Sequence, residues 1–500
     1  MNGKYIVSGL AAIAAGINAI QAQNANESSS PNIIFILADD LGWMDLGCYG
    51  SSFYESPVID RLAKEGMRFT NAYASCPVSS PTRASFQTGK YPARLHLTDY
   101  IPGGYSVASR RKLIDETCPV IPVAFVQNMP LDEFTIAEAL KVKGYQTAHV
   151  GKWNCSVDSL TYPQYQGYDI NIAGCNKGAP GKGGYFSPYR NPYLPDGPIG
   201  EYLTDRLGDE CIKIIHRFKD EPFFINLPFY QVHTPLLAKP EKVRYFEKKA
   251  RKMGLKELKA FDENPEWKSK QPYQDSTRME RIIQSNAVYA AMIASMDENI
   301  GRIIEELKVL GLYENTIIIF TSDNGGLSTS EGSPTSNRPL RGGKGFTYEG
   351  GIRVPLIVKM PMMNSAGTSC DSIVTSTDYY PTMLEMVGCK LHPEQHVDGI
   401  SFLPLLNGGN RTARDAVYWH YPHYSNQGGR PSGCIRMGNY KLLQFYDTGE
   451  IELYDLSVDI SEKENLQDKM PELTRKLLNK LDNWRKSVKA DMPAKNTKKK

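Results

Sequence analysis

Short apolar runs that stop at polar clusters recur along the chain. Asn32 to Ala38 (NIIFILA) ends at Asp39-Asp40, and Gln146 to Val150 ends at Gly151-Lys152. Phe223 to Leu227 leads to His233-Thr234-Pro235, and Thr316 to Thr321 leads to Ser322-Asp323-Asn324-Gly325-Gly326. Runs this short, rich in β-branched and aromatic residues, predict strands buried on both faces. Between them the apolar positions shift to helical spacing. Thr135 to Lys143 carries Ile136, Ala139 and Leu140 and stops at Gly144. Glu280 to Leu310 carries Ile282, Ile283, Ile293, Met296, Ile300, Ile303, Ile304 and Leu307 before Gly311. Both read as helices closed by glycine. The alternation predicts an α/β fold with a large, mostly parallel sheet flanked by helices. In such sheets ligands gather beyond the carboxyl ends of the strands, where all four polar clusters fall.

The pattern changes twice more. Residues 241–281 are rich in Lys, Glu and Arg and read as an exposed insertion. From about Ser401, strand-like pieces at Ala416 to Trp419, Cys434 to Met437 and Lys441 to Phe445 precede a helix near Pro471 to Lys486. This predicts a main domain over 31–400, then a smaller C-terminal α+β subdomain with an antiparallel sheet over 401–490. The last ten residues, 491–500, form a basic tail expected to be a solvated end. At the other terminus, Lys4, the apolar stretch Ile6 to Ile20 and Ala22 read as a signal peptide over 1–22. The stretch is too short and broken for a membrane span. The expectation is an exported protein, periplasmic or secreted, without stable membrane insertion.

Five hundred residues agree with one large core plus a smaller one. The net charge of +3 gives no case for a nucleic-acid partner. The nine cysteines are scattered and form no CxxC pair, which argues against structural zinc and leaves one or two disulfides open. The 29 tyrosines suit a sugar surface.

Asp39, Asp40, Asp323 and Asn324 offer hard oxygen donors from two strand ends. Such donors suit Ca²⁺ or Mg²⁺ rather than zinc. One pair alone would read as a turn or a helix cap; two pairs, each closing an apolar strand, point to a metal. Between them in the chain lies Pro77-Val78-Ser79-Ser80-Pro81-Thr82-Arg83, followed by Thr88-Gly89. This segment matches the signature (Cys or Ser)-x-Pro-x-Arg with a downstream Thr-Gly. Together with Asp39-Asp40, GKW at 151–153, HTP at 233–235, SDNGG at 322–326 and Gly343-Lys344, it resembles the type I sulfatases of the alkaline-phosphatase superfamily, including bacterial exported carbohydrate sulfatases.

The resemblance implies hydrolysis of a sulfate ester, with galactose or N-acetylgalactosamine sulfate in a glycan as the first expectation. It implies that a maturation enzyme oxidises Ser79 to formylglycine (3-oxoalanine). A hydrated aldehyde offers one hydroxyl to attack sulfur and a second whose deprotonation expels sulfate, so one hard step becomes two easier ones. It implies that Asp39, Asp40, Asp323, Asn324 and residue 79 bind calcium, that Arg83 holds residue 79, that Lys152 and Lys344 neutralise sulfate oxygens, and that His233 protonates the leaving alcohol. One position departs from the family pattern. Asn154 stands where a histidine is usual, and an amide cannot accept a proton at neutral pH; His149, nearby in sequence, is expected to be structural. Asn154 and Asp99 are expected at the substrate, with His96 near the pocket. His423 and Arg430 are expected on a C-terminal loop that reaches the sugar. Two rivals are a phosphate or phosphonate monoesterase of the same superfamily and a non-catalytic glycan-binding relative.

Overall fold

The computed structural model describes residues 30–181, 183–270, 278–410 and 413–499. The predicted signal peptide lies outside them. Eight strands make the large sheet: β1 (Asn32–Ala38), β2 (Met67–Phe69), β3 (Gln146–Val150), β4 (Ile170–Ile172), β5 (Phe223–Pro228), β6 (Thr316–Ser322), β7 (Leu356–Lys359) and β8 (Ser369–Cys370). They lie in the order β8-β2-β7-β6-β1-β5-β3-β4. Only β7 runs against its neighbours; the other pairings are parallel. The four strands predicted from apolar runs are four adjacent ones, β6, β1, β5 and β3.

Strand geometry sends alternate side chains to opposite faces, and β1 supplies both cores in this way. Ile34 and Ile36 pack in a cluster with Leu207 and Ile215 of α4 (Leu203–Phe218) and Ile293 and Ile300 of α6 (Ala287–Val309). Ile33, Phe35 and Leu37 face Phe86 of α2 (Ser79–Thr88), Leu140 of α3 (Ile136–Val142) and Met383 of α7 (Tyr379–Met386). Helix α1 (Pro57–Glu65) adds Ile59 and Leu62 to the first face.

The expected helix at 280–310 is corrected at its start. Asn286 caps α6 by accepting from the N–H groups of Val288 and Tyr289, so Ile282 and Ile283 precede it. Glu280–Arg281 instead pair with Phe261–Asp262. The described residues of the charged 241–281 stretch are only partly exposed: α5 (Pro240–Lys252) buries Phe246 and Ala250, and Trp267 is buried further on.

The C-terminal sheet is antiparallel, in the order β9 (Val417–Tyr421), β10 (Ser432–Met437), β11 (Tyr440–Phe445), β12 (Ile451–Asp455). Helix α8 (Pro471–Ser487) covers one face through Leu477, Leu481 and Trp484. A buried ion cluster joins this sheet to the segment just before β7: Lys441 on β11 pairs with Glu349 at 3.0 Å and Glu462 at 2.9 Å. The tail differs from the expected solvated end. Ala494–Lys495 pair with Val120–Ile121, and the buried Asn496 amide donates to the carbonyls of Asp115 and Cys118 at 3.0 and 2.8 Å. The nine cysteines are unpaired.

Candidate active site

The polar clusters after β1, β3, β5 and β6 converge beyond the carboxyl ends of those strands, and the N-terminus of α2 meets them. Val78 is extended (φ −138°, ψ 160°), so the helix begins abruptly at Ser79. The Ser79 hydroxyl lies 3.3 Å from Asp39 Oδ1, 3.4 Å from Asn324 Oδ1 and 3.3 Å from Lys152 Nζ. The Asn324 amide donates to Asp40 Oδ1 at 2.8 Å, and Asp323 Oδ1 accepts from the Asp40 backbone N–H at 3.2 Å.

Cations hold these carboxylates from three sides. Lys152 Nζ donates to Asp39 Oδ2 at 2.8 Å, and Lys344 Nζ to Asp40 Oδ2 at 2.7 Å. Arg83, one turn into α2 from Ser79, donates to Asp323 Oδ2 through Nε at 2.9 Å and to the Lys152 carbonyl through Nη1 at 3.0 Å. Asp39, Asp40, Asp323, Arg83, Lys152 and Lys344 are all buried. Burial pushes the Asp39 carboxyl above its ordinary value against the pull of Lys152, and the Asp323 charge pushes it further. Burial acts the same way on Asp40, but the Lys344 ammonium beside it holds it below its usual range. Asp323 is also lowered in spite of burial, by Arg83, Lys152 and Lys344. Burial lowers the Lys152 ammonium more than Asp39 raises it.

This donor set fits a hard divalent cation. Asp39 Oδ1 and Asn324 Oδ1 both face the Ser79 hydroxyl, and ligating atoms of Asp39, Asp40 and His233 all lie within 4.8 Å of each other. Asp39 in particular is a buried carboxylate pressed by a like charge, which a cation would relieve.

His233 Nδ1 lies 2.6 Å from the carbonyl of Thr234, which can only accept, so Nδ1 carries the proton. Nε2 then accepts from Lys344 Nζ at 3.0 Å. His149 is buried against Trp153 and Tyr168, and burial pulls its ring down to about 3. It keeps the structural place expected of it.

The cavity above Ser79 has a volume of about 230 Å³ and is lined by Ser79, Lys152, Asn154, His233 and Lys344 together with Tyr100, Ile101, Gly178, Ala179, Glu331, Asn426 and Gln427. Asn154 takes a left-handed backbone (φ 53°) and does not bond Ser79. Its Oδ1 accepts from Ser80 Oγ at 3.0 Å, and Ser80 Oγ accepts from the Ile101 N–H at 3.0 Å.

The structure corrects four substrate-side expectations. Asp99 is turned inward, accepting from the N–H groups of Tyr100 and Gly104 and from Tyr421 Oη, and so shapes the 99–104 loop from behind. The His423 ring is buried against Phe125 with Nε2 2.8 Å from Thr98 Oγ1. Arg430 spends its donors on Asp447, Thr448 and Glu450 and stacks on Phe445. His96 lies 2.7 Å from Asp491 at the surface. The C-terminal loop does reach the cavity, but through Asn426 and Gln427. Gly345 makes that approach fit: at φ 84°, a Cβ there would stand 2.0 Å from Ser425 Oγ. The turn-like Asn-Gln-Gly-Gly at 426–429 is the one sequence signal for these two.

The sulfatase family model matches residues 31–389, and that of the N-sulphoglucosamine sulphohydrolase C-terminal region matches residues 343–487. A sulfatase of Formosa agariphila is 32% identical, covering 92% of this chain and 89% of its own length. The N-acetylgalactosamine-6-sulfatase of Rattus norvegicus is 28% identical over 90% of this chain and 78% of its own. The crystal structure of Ps i-CgsB in complex with k-i-k-neocarrahexaose superposes with a TM-score of 0.71 at 27% identity, covering 91% of this chain and 93% of that one. The chain belongs to the sulfatase family, with the alkaline-phosphatase-like fold. It is a sulfuric ester hydrolase.

Proposed function

We propose that this enzyme removes sulfate from a sulfated sugar, with galactose or N-acetylgalactosamine sulfate as the first candidates. The observation that carries the reading is the Ser79 hydroxyl within 3.4 Å of Asp39, Asn324 and Lys152 at the floor of a small cavity. Relatives named for N-acetylgalactosamine 6-sulfate, and a similar fold holding a neocarrahexaose, support a carbohydrate.

Asp39, Asp40, Asp323 and Asn324 would hold calcium, with residue 79, as formylglycine, completing the set. When bound, the ion would supply a Lewis-acid contact for a sulfate oxygen and the formylglycine the attacking oxygen. The chain's own residues do the rest. Lys152 directs its charge at the residue 79 oxygen, and Asp39 Oδ1 is placed to take that oxygen's proton. Lys344, fixed by Asp40 and His233, meets the charge that develops on sulfate. Arg83 keeps Asp323 and the Lys152 backbone in register. His233 offers Nε2, which accepts from Lys344 Nζ, as the atom that would take a proton from that ammonium and pass it to the leaving alcohol.

An exported protein matured by a formylglycine-generating enzyme, acting in the periplasm or outside the cell, agrees with the leader-like residues 1–22. Among the described residues no helix is long and apolar enough to cross a membrane.

Two measurements test the reading. Peptide mass spectrometry of the Ser79 segment should show the loss of two hydrogens. The matured enzyme should release sulfate from galactose or N-acetylgalactosamine sulfates, lose that activity to a chelator and regain it better with calcium than with zinc. Full activity with unmodified Ser79, or stoichiometric zinc without calcium or magnesium, defeats it.

A further inference from the structure

The cavity is electrically lopsided. Its closed end holds two ammonium groups, Lys152 and Lys344, in side chains 1% and 6% exposed. Its open end holds one carboxylate, Glu331, on an exposed residue. The other side chains lining it, apart from His233, are neutral.

Glu331 is held in place. It sits at a left-handed backbone position, φ 53°. Its Oε2 accepts from Thr234 Oγ1 at 2.6 Å. Its Oε1 accepts from Asn426 Nδ2 at 3.0 Å and Gln427 Nε2 at 3.1 Å. Three segments meet on this carboxylate: the one carrying His233, the one after β6 and the C-terminal loop. Every one of these donors is neutral. The negative charge is therefore oriented but not cancelled, and it stands at the opening while Lys344 lies behind it.

We propose that Glu331 is a specificity-determining residue that sorts sulfate esters by the charge of the group attached to the sulfate. The reading rests on this cavity being the substrate site. A sulfate group fits the cationic end. The part of the substrate beyond it then passes a fixed carboxylate. A neutral or ammonium-bearing sugar passes at no cost or with a gain, and a sugar bearing a second sulfate or a carboxylate is repelled. The cavity, at about 230 Å³, is below the roughly 300–1,000 Å³ of sites for drug-sized ligands. One ring attached to the sulfate therefore fills it and brings its far side to the opening. The substrate class that follows is a terminal sugar carrying one sulfate and no neighbouring anion.

Two aryl sulfates of matched shape test this whatever the natural sugar is: 4-(aminomethyl)phenyl sulfate, with an ammonium opposite the ester, and 4-carboxyphenyl sulfate, with a carboxylate there. The readout is the ratio of their kcat/KM values, cationic over anionic, in the wild type and in Glu331→Gln. Dividing one ratio by the other removes the different leaving-group abilities. Glutamine keeps the size and an acceptor oxygen. For charges partly exposed to solvent, one ion–ion contact is worth about fivefold in rate. The ratio is expected to fall by about tenfold or more in the variant, and the fall should shrink as salt is raised from low ionic strength. A purely structural role, tying three segments together, would lower both substrates alike and leave the ratio unchanged. That result, or a ratio change insensitive to salt, overturns the proposal. The underlying reading of this cavity as the substrate site fails separately: Ser79→Ala, correctly folded, would then turn over both aryl sulfates as fast as the matured wild type.

Discussion

Ser80, the first of the two variable residues inside the Ser79–Arg83 signature, is the most exacting place to test how the cavity wall is built. From sequence alone, Ser80→Ala promises little, because the position carries no reacting atom. The structure gives it a larger cost. The side chain is fully buried, and its one hydroxyl both donates to Asn154 Oδ1 and accepts from the Ile101 N–H, each at 3.0 Å. Removing it deletes two hydrogen bonds, about 1 kcal/mol each. It also leaves the Ile101 N–H, on a residue 4% exposed, without its partner, and an orphaned buried donor costs about 1–3 kcal/mol. Since the orphan penalty overlaps the lost bond, the expected destabilisation is about 2–4 kcal/mol. Unfolding entropy scales with length, which converts this to roughly 1 °C per kcal/mol for a chain of this size, or a fall in Tm of about 2–4 °C. The kinetic effect should fall on KM more than kcat. Tyr100, Ile101 and Asn154 form one wall of the cavity, whereas Ser79 is held separately by Asp39, Asn324 and Lys152. The assay is thermal unfolding together with saturation curves on an aryl sulfate, with conversion of Ser79 quantified by mass so that poor maturation is not mistaken for poor binding. An unchanged Tm with an unchanged KM refutes the claim that this hydroxyl holds the wall.

Three further outcomes follow from buried groups. Burial holds the His423 ring at about 3, so folding must keep it neutral. Its pKa is depressed relative to about 6.5 in the unfolded chain, so stability is lost as pH falls below 6.5. Wild type should lose about 2 kcal/mol relative to His423→Asn between pH 7.5 and pH 5 by denaturant unfolding; a pH-independent difference counts against it. Lys441→Met strands Glu349 and Glu462 together in the interior and should cost about 3–5 kcal/mol in chemical denaturation, with little loss if the carboxylates find other partners. Gly345→Ala forces a Cβ to within 2.0 Å of Ser425 Oγ at a left-handed backbone position. It should depress kcat/KM by shifting Lys344 and the 425–427 loop together, and wild-type kinetics would show that the approach is not tight.

Much of this is legible in the residues because strand and chemistry are adjacent in sequence. Each of these strands is short and ends in a polar cluster, and the polar residues that follow it must emerge at the same edge, so the pattern brings Asp39, Lys152, His233 and Asp323 together. What lies outside such runs reads less well. β12 gives a weak signal because Ile451–Asp455 is only five residues long, and the buried Glu452 and adjacent Leu453 and Tyr454 break any apolar–polar alternation. The start of α6 is obscured because apolar spacing continues through Ile282 and Ile283, while the stop signal is the single cap Asn286. Arg430 and His423 look like free polar groups, yet their partners, Asp447 and Thr98, are 17 and 325 positions away. Charge pairing and burial of this kind depend on tertiary neighbours that local pattern does not encode. Glu331, Asn426 and Gln427 are hidden for the same reason: each lies in a turn-forming stretch, and only the meeting of three segments gives it a role.

The meeting of Gly345 with Ser425 and Gln427 has a consequence for how such an enzyme diversifies. The floor of the cavity grows from strand ends that every change to the main core would disturb. Part of its lip, Asn426 and Gln427, hangs from a turn after the first strand of a different sheet, anchored across a contact that tolerates no side chain at 345. Recognition can therefore drift by replacement within that turn while the reacting groups stay put, provided the glycine is kept. A new sugar preference is a short stretch of altered turn away, whereas a new reaction would require rebuilding the ends of four strands at once.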